Sequence, residues 1–260
     1  MLTQKLDGLQ QGFYVIGADT NVGKTAFLLN LSLNLIANNP GGVFVLIFSL
    51  DDPLLRIIPR LVSIKSGISI NSVSNPIWKI QKNETIPTEK VAELLKTREQ
   101  AINELKGMSD SFMIKDENSG DHVEELGNIA STISRYKEIA DRRKLVVMID
   151  SIYNIDVKSE EDTRKKFMII SKSLKKFTTM FDASILGVCE LRKKQYIGGK
   201  PHLEDIKEVI DLIYDANVGM LLYNEMDHKV NTELKFRDPQ ASLIDFPIVE
   251  LMIKKNKISS

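Results

Sequence analysis

The sequence predicts an α/β fold, a mainly parallel, twisted sheet with helices on both faces. Three observations lead there. Short β-branched or aromatic runs alternate with longer stretches whose apolar residues recur every three or four positions, and crossovers between parallel strands deposit helices on both faces of a sheet. Between the first such run and the first such stretch lies Ala18-Asp19-Thr20-Asn21-Val22-Gly23-Lys24-Thr25, a strand-to-helix loop with its own chemistry. The 260 residues are 43% hydrophobic and 27% charged, an ordinary folded composition that argues against a disordered, collagen-like or disulfide-stapled chain.

Val15 and Ile16 mark the first strand and Val43 to Phe48 the second, each followed by turn-rich or acidic residues. Between them Thr25 to Ala37 carries Phe27, Leu28, Leu31 and Leu35 at helical spacing, and Asn38-Asn39-Pro40-Gly41-Gly42 stops it. Thr88 to Leu105 reads as an amphipathic helix behind Pro87, and Ser111 to Ile114 as a short strand. Asp121 to Arg143 reads as one helix with Val123, Leu126, Ala130, Ile133 and Ala140 on one side. Leu145 to Ile149 is an apolar strand; Phe167, Ile170, Leu174, Phe177 and Phe181 line one face of the next helix; Ser184 to Val188 is the strand after it. Val209 to Ile213, Val218 to Tyr223, Thr232 to Phe236 and Ile248 to Ile253 complete the alternation. With no internal repeat or linker, residues 1–260 read as a single domain.

Thirty-five basic and thirty-five acidic residues cancel, so any nucleic-acid contact must be local. The apolar runs fall far short of the about 20 residues that a membrane span needs, and the first residues carry no secretory signal pattern. A cytoplasmic protein without membrane contact is the expectation. Cys189 is the only cysteine, which leaves no internal disulfide or thiolate metal cluster. His122, His202 and His228 show no metal-ligand spacing.

Residues 18–25 follow a strand and precede a helix, the context in which such a loop binds phosphate. Its backbone N–H groups, Ala18 to Thr25, and the helix N-terminus face a β-phosphate, Lys24 reaches the β and γ oxygens, and Thr25 ligates Mg²⁺. Gly23 lets the backbone approach closely. Ala18 stands where the common pattern has Gly, and Gly17 beside it supplies flexibility.

Val146 to Ser151 is an apolar strand ending in Asp150, the arrangement that places a carboxylate beside Mg²⁺ in phosphate-loop enzymes. Asp51 and Asp52 follow the second strand, where Asp51 is placed to polarise an attacking water. A solvated turn or a helix N-cap ahead of Pro53 is the other use for that pair.

Taken together, several segments resemble the C-terminal ATPase domain of the DnaB-type replicative helicases, a RecA-like fold. The resemblance begins at Leu6 to Gly12, runs through the phosphate loop into Ala26 to Asn30, and takes in Phe48-Ser49-Leu50 and Ile149-Asp150-Ser151. It continues in Cys189 to Arg192, Asp205 to Glu208, Asp215 to Val218 with Leu222-Tyr223, and Val249 to Asn256, in the same order and spacing. It implies ATP and Mg²⁺ as ligands, single-stranded DNA as partner, and a homo-oligomer, hexameric by expectation, that hydrolyses ATP at subunit boundaries. It further implies a γ-phosphate sensor at Glu190 and, at Lys255 and Lys257, cations donated across a subunit boundary.

Three departures fall on the chemistry. Asp51 stands where the family generally has Glu, shortening the arm by one methylene, about 1.5 Å. Glu190 stands where the family has Gln. Lys255-Asn256-Lys257 replaces Lys-x-Arg, so Lys257 offers charge without a bidentate fork; a solvated basic tail is the other reading of these lysines. The chain is read as lacking the family's N-terminal helical domain before Leu6 and its last strand beyond Ser260.

Arg192, Lys193, Lys194 and Lys200 cluster around Tyr196 and Gly198-Gly199, a basic loop with one aromatic that suits tracking along a single strand. An exposed hairpin is the alternative. Three functions compete. The leading one is an ATP-driven helicase domain; the second is a nucleotide-gated module with weak or no hydrolysis. The third, a small-molecule kinase, leaves the basic loop and the late lysines without a role.

Overall fold

The computed structural model describes residues 6, 8–83, 85–120, 122–158, 160–192, 200–206, 210–224 and 249–258. Strand β1 (Gly12–Ala18) leads into helix α1 (Lys24–Asn38) and strand β2 (Val43–Ser49). Then come α2 (Leu54–Ser66), α3 (Ile70–Ser74), a π-helical turn at Ile77–Gln81 and α4 (Thr88–Gly107). Next are β3 (Phe112–Asp116), α5 (Leu126–Ala140), β4 (Lys144–Asp150), α6 (Thr163–Met180) and β5 (Ala183–Glu190). Short α7 (Ile210–Asp215), β6 (Val218–Asn224) and β7 (Val249–Asn256) close the described fold.

The strands form one sheet in the order β3-β2-β4-β5-β1-β6-β7. All neighbours are parallel except β7, which runs antiparallel to β6 at the edge. The strand-helix-strand unit of the first fifty residues is therefore opened: β4 and β5 lie between β1 and β2.

Helices cover both faces, as expected. On one face Leu28, Leu29, Leu33 and Ile36 of α1 and Ile57 and Leu61 of α2 pack on Tyr14, Ile16, Val45, Ile47, Val146, Met148, Leu186 and Val188. On the other, Ile129 and Ile133 of α5 and Phe167, Ile170 and Leu174 of α6 pack on the alternate residues of the same strands. Burying a side chain such as Leu28 or Ile170 stabilises by about 1.5–3 kcal/mol. A third cluster, Val62, Val73, Ile80 and Ala101, holds α2, α3 and α4 together.

One expectation is revised and one unread segment is filled in. The helix read from Asp121 to Arg143 covers only Leu126–Ala140. His122 sits at φ 45° and Asp141 at φ 54°, left-handed backbone that a helix cannot continue through, and Glu125 is drawn into a bridge with Asp156. The segment after Asp52 is helical although Pro53 and Pro59 obscure its periodicity: Pro59 lies inside α2. Thr232 to Phe236 lies outside the described residues.

Candidate functional site

Residues alternate across a strand, so the last inward position of each strand on the α1/α2 face falls at one end of the sheet. That position is Ala18 on β1, Ser49 on β2, Asp116 on β3, Asp150 on β4 and Glu190 on β5. The pairing puts Asp116, Ser49 and Asp150 in one row and Ala18 beside Glu190. Apolar packing gives way there to polar groups, above the carboxyl end of the sheet, where parallel α/β folds bind ligands.

A cleft of about 400 Å³ opens at this end, lined by Thr20, Asn21, Gly23, Lys24, Thr25, Asp51, Asp52, Arg60, Asp150 and Glu190 among others. The phosphate loop forms its floor. Gly23 has φ 102° and nothing within 4 Å of the place a Cβ would occupy, so the left-handed backbone, not crowding, requires glycine there. α1 starts at Lys24 with no side-chain cap and no acidic residue in its first turn. Its leading N–H groups thus remain for an anion.

Lys24 Nζ donates to the carbonyls of Ala18 at 3.3 Å and Asp19 at 3.0 Å. Burial lowers its pKa, opposed by the carboxylates of Glu190, Asp150, Asp19 and Asp51. Thr25 Oγ1 donates to Asp150 Oδ2 at 2.6 Å. Burial raises the Asp150 carboxyl above its ordinary value, the Thr25 hydrogen bond works against that, and Asp51 adds to it. A hydroxyl and a buried carboxylate held together beside an ammonium fit a magnesium-bound phosphate: both oxygens are hard donors of the kind Mg²⁺ takes.

Asp51 is exposed to the cleft. Asp52 is held by Arg60 at 2.8 Å and Arg56 at 3.4 Å. Arg60 is a lining residue that sequence reasoning missed. Its signal was the eight-residue step from Asp52 onto one face of a helix, hidden by the two prolines.

Lys255 and Lys257 are not brought to this cleft. Lys255 lies opposite Gly219, which pairs with Val15, and the Lys257 amide bonds Asn217 O next to Phe13. Lys255 is therefore level with the middle of β1 and Lys257 with its amino end, about 10 Å and about 17 Å of strand short of the loop. Lys255 Nζ donates to the Ile213 and Tyr214 carbonyls. Its pKa is lowered to about 8 by burial and by the charges of Lys257 and Lys175.

Of the basic loop, Arg192 and Lys200 are described and exposed, and Lys200 pairs with Glu250 at 2.7 Å. Lys193, Lys194, Tyr196, Gly198 and Gly199 lie outside the described residues. The loop's base is tied by the Leu191–Ile206 bridge and by the Arg192 amide on Asp205 O at 2.7 Å, directly after Glu190. Cys189 is buried and its thiol is pushed up to about 12 by that burial. Among the described residues there is no cluster of metal-ligating side chains, and no helix is long and apolar enough to cross a membrane.

Such a loop, feeding a helix beside a hydroxyl–carboxylate pair on a mainly parallel sheet, is the arrangement of the phosphate-loop folds, and the sheet and its helices are RecA-like. The chain belongs to the family of DnaB-like helicase C-terminal domains, whose model matches residues 1–259. It is 22% identical over 263 residues to a probable replicative DNA helicase of Trieres chinensis, covering 97% of this chain and 51% of that protein. The chain thus spans about half the length of that relative. The ATPase domain of G40P superposes with a TM-score of 0.76 at 23% identity, over 95% of this chain and 78% of that one. A DnaB-like replicative helicase, solved in a study of its interactions with primase, gives 0.77 at 23% identity over 95% and 53%.

Proposed function

We propose that this domain binds ATP with magnesium in the cleft above β1 and hydrolyses it to act on single-stranded DNA as an oligomer. The observation that carries this is the placement of Lys24, Thr25 and Asp150 around an uncapped helix N-terminus. Lys24, released from the Ala18 and Asp19 carbonyls, neutralises the β and γ oxygens. Thr25 and Asp150 are the residues that would hold magnesium, which supplies charge neutralisation when bound. Asp51 orients the attacking water and draws off its proton. Lys255 and Lys257, at the β7 edge of the sheet, serve the site of a neighbouring subunit, which implies head-to-tail assembly. Arg192 and Lys200, with Lys193 and Lys194, track the DNA backbone from a loop anchored beside Glu190, so the nucleotide state can reach the strand.

Turnover stimulated by single-stranded DNA, together with stabilisation by magnesium-ATP, tests the reading. Both should vanish in Lys24→Ala; a monomer indifferent to DNA would refute the motor. A nucleotide-gated module with weak hydrolysis is the second reading, favoured by Glu190 facing Lys24. Faster turnover in Glu190→Gln than in the wild type would support it.

A further inference from the structure

The turn between β2 and α2, residues 50–53, carries Asp51, and it is pinned from both sides. At its start the Leu50 amide donates to Asp150 O at 2.6 Å, and Ser49 Oγ donates to Asp52 O at 2.6 Å. At its end α2 has no side-chain cap of its own and no acidic residue in its first turn. The amide of Leu54 is instead received at 2.8 Å by Asp116 Oδ2, from the end of β3, 62 residues away in sequence.

Asp116 is well placed for that task. It is 4% exposed; its Oδ1 accepts from Ser119 Oγ at 2.7 Å, and its amide donates to Ser119 Oγ at 2.9 Å. Burial pushes the carboxyl up, but the Leu54 amide and the Ser119 and Asn118 hydrogen bonds outweigh it and hold it below its ordinary value. The result is an anchored anion at a helix N-terminus, where the macrodipole favours it.

We propose that Asp116 is a positioning residue for Asp51: by holding Leu54 it fixes the far end of the turn, so the carboxylate of Asp51 meets its water at one distance. The inference rests on the reading of Asp51 as the group that orients the water. An aspartate arm, one methylene shorter than glutamate, has less reach to make up for a loose backbone, and 1 Å of misplacement can cost on the order of 100-fold in rate.

The test is a double-mutant cycle in the full chain with magnesium-ATP and single-stranded DNA. Asp116→Ala should lower kcat by roughly 10–100-fold while nucleotide affinity stays within about twofold of wild type, because the phosphate loop is untouched. Asp116→Asn, which keeps an acceptor for Leu54, should restore most of it. In an Asp51→Asn background the alanine change should cost nothing further, and amide exchange at Leu54 should quicken in Asp116→Ala. Unchanged kcat in Asp116→Ala, or a loss that adds in full to that of Asp51→Asn, overturns the proposal, since a purely structural effect would add. If Asp116→Ala folds poorly, Ser119→Ala, which frees only one carboxylate oxygen, carries the same cycle. Turnover that survives Asp51→Asn in the wild-type background overturns the role of Asp51 itself, while the exchange of Leu54 still reports the clamp.

Discussion

Gly187 lies on β5 at the back of the candidate site, and replacing it with alanine tests how tightly that site is supported. A Cβ there would stand 2.1 Å from Cδ1 and 2.6 Å from Cγ1 of Ile152. Carbon contacts settle near 3.5–4.0 Å, so the two groups must separate by about 1.5 Å. Ile152 is fully buried, and Phe13 Cε2 is 3.7 Å from the same Cβ. Overpacking of this kind costs about 1–3 kcal/mol, and at this chain length each kcal/mol moves the melting point by roughly 2–4 °C. Gly187→Ala should therefore melt about 2–12 °C lower. Ile152 opens the turn two residues beyond Asp150, so the displacement should also loosen the Thr25–Asp150 pair and weaken nucleotide binding several-fold. Circular dichroism melts and a nucleotide titration read both effects. Ile152→Ala alone should cost about 2–5 kcal/mol as a cavity, but combined with Gly187→Ala it should cost less than the sum, because the new methyl fills vacated space. Gly187→Ala melting within about 1 °C of wild type, or strict additivity, would refute the reasoning.

Three further expectations follow from the charges. Because burial raises the Asp150 carboxyl, stability from this group falls as pH rises from the ordinary carboxylate value to the raised one. Asp150→Asn should accordingly melt at or above wild type at neutral pH without nucleotide, and lose the added stability that magnesium-ATP confers; calorimetry with and without the ligand decides. Lys255, lowered to about 8, loses its charge as pH rises through that value, so under the proposed role across a subunit boundary kcat/KM should fall there. Lys255→Arg, which stays charged, should flatten that alkaline limb; a limb that persists in it removes Lys255 from the chemistry. Arg192→Ala and Lys200→Ala should each reduce the slope of log affinity for single-stranded DNA against log salt by about 0.7, measured by fluorescence anisotropy, and an unchanged slope would take the residue off the DNA path.

The phosphate loop was legible because its requirements are local. A left-handed Gly23, an ammonium and a hydroxyl at fixed offsets before a helix need only neighbours in sequence. Asp150 was legible for a similar reason, as the first carboxylate after an unbroken apolar strand. The helices over Lys24–Asn38, Thr88–Gly107 and Thr163–Met180 declared themselves through three-to-four spacing over many turns. By contrast, α2 was hidden by its prolines, and the start of α5 was misplaced because Val123 keeps the helical phase although its neighbour His122 has left-handed backbone.

The sequence by itself determined the layered α/β class, the position of the glycine-lysine-threonine loop, and the identity of the carboxylates near it, since periodicity and turn chemistry are properties of short windows. Only the tertiary structure decided that β4 and β5 come between β1 and β2, which carries Asp150 to Thr25. It alone put Lys255 and Lys257 at the β7 edge, short of the cleft, and it alone gave α2 a cap from Asp116. Each of these depends on which strands pair, and strand pairing is fixed by burial of both sheet faces at once, a global balance that no single window of residues contains.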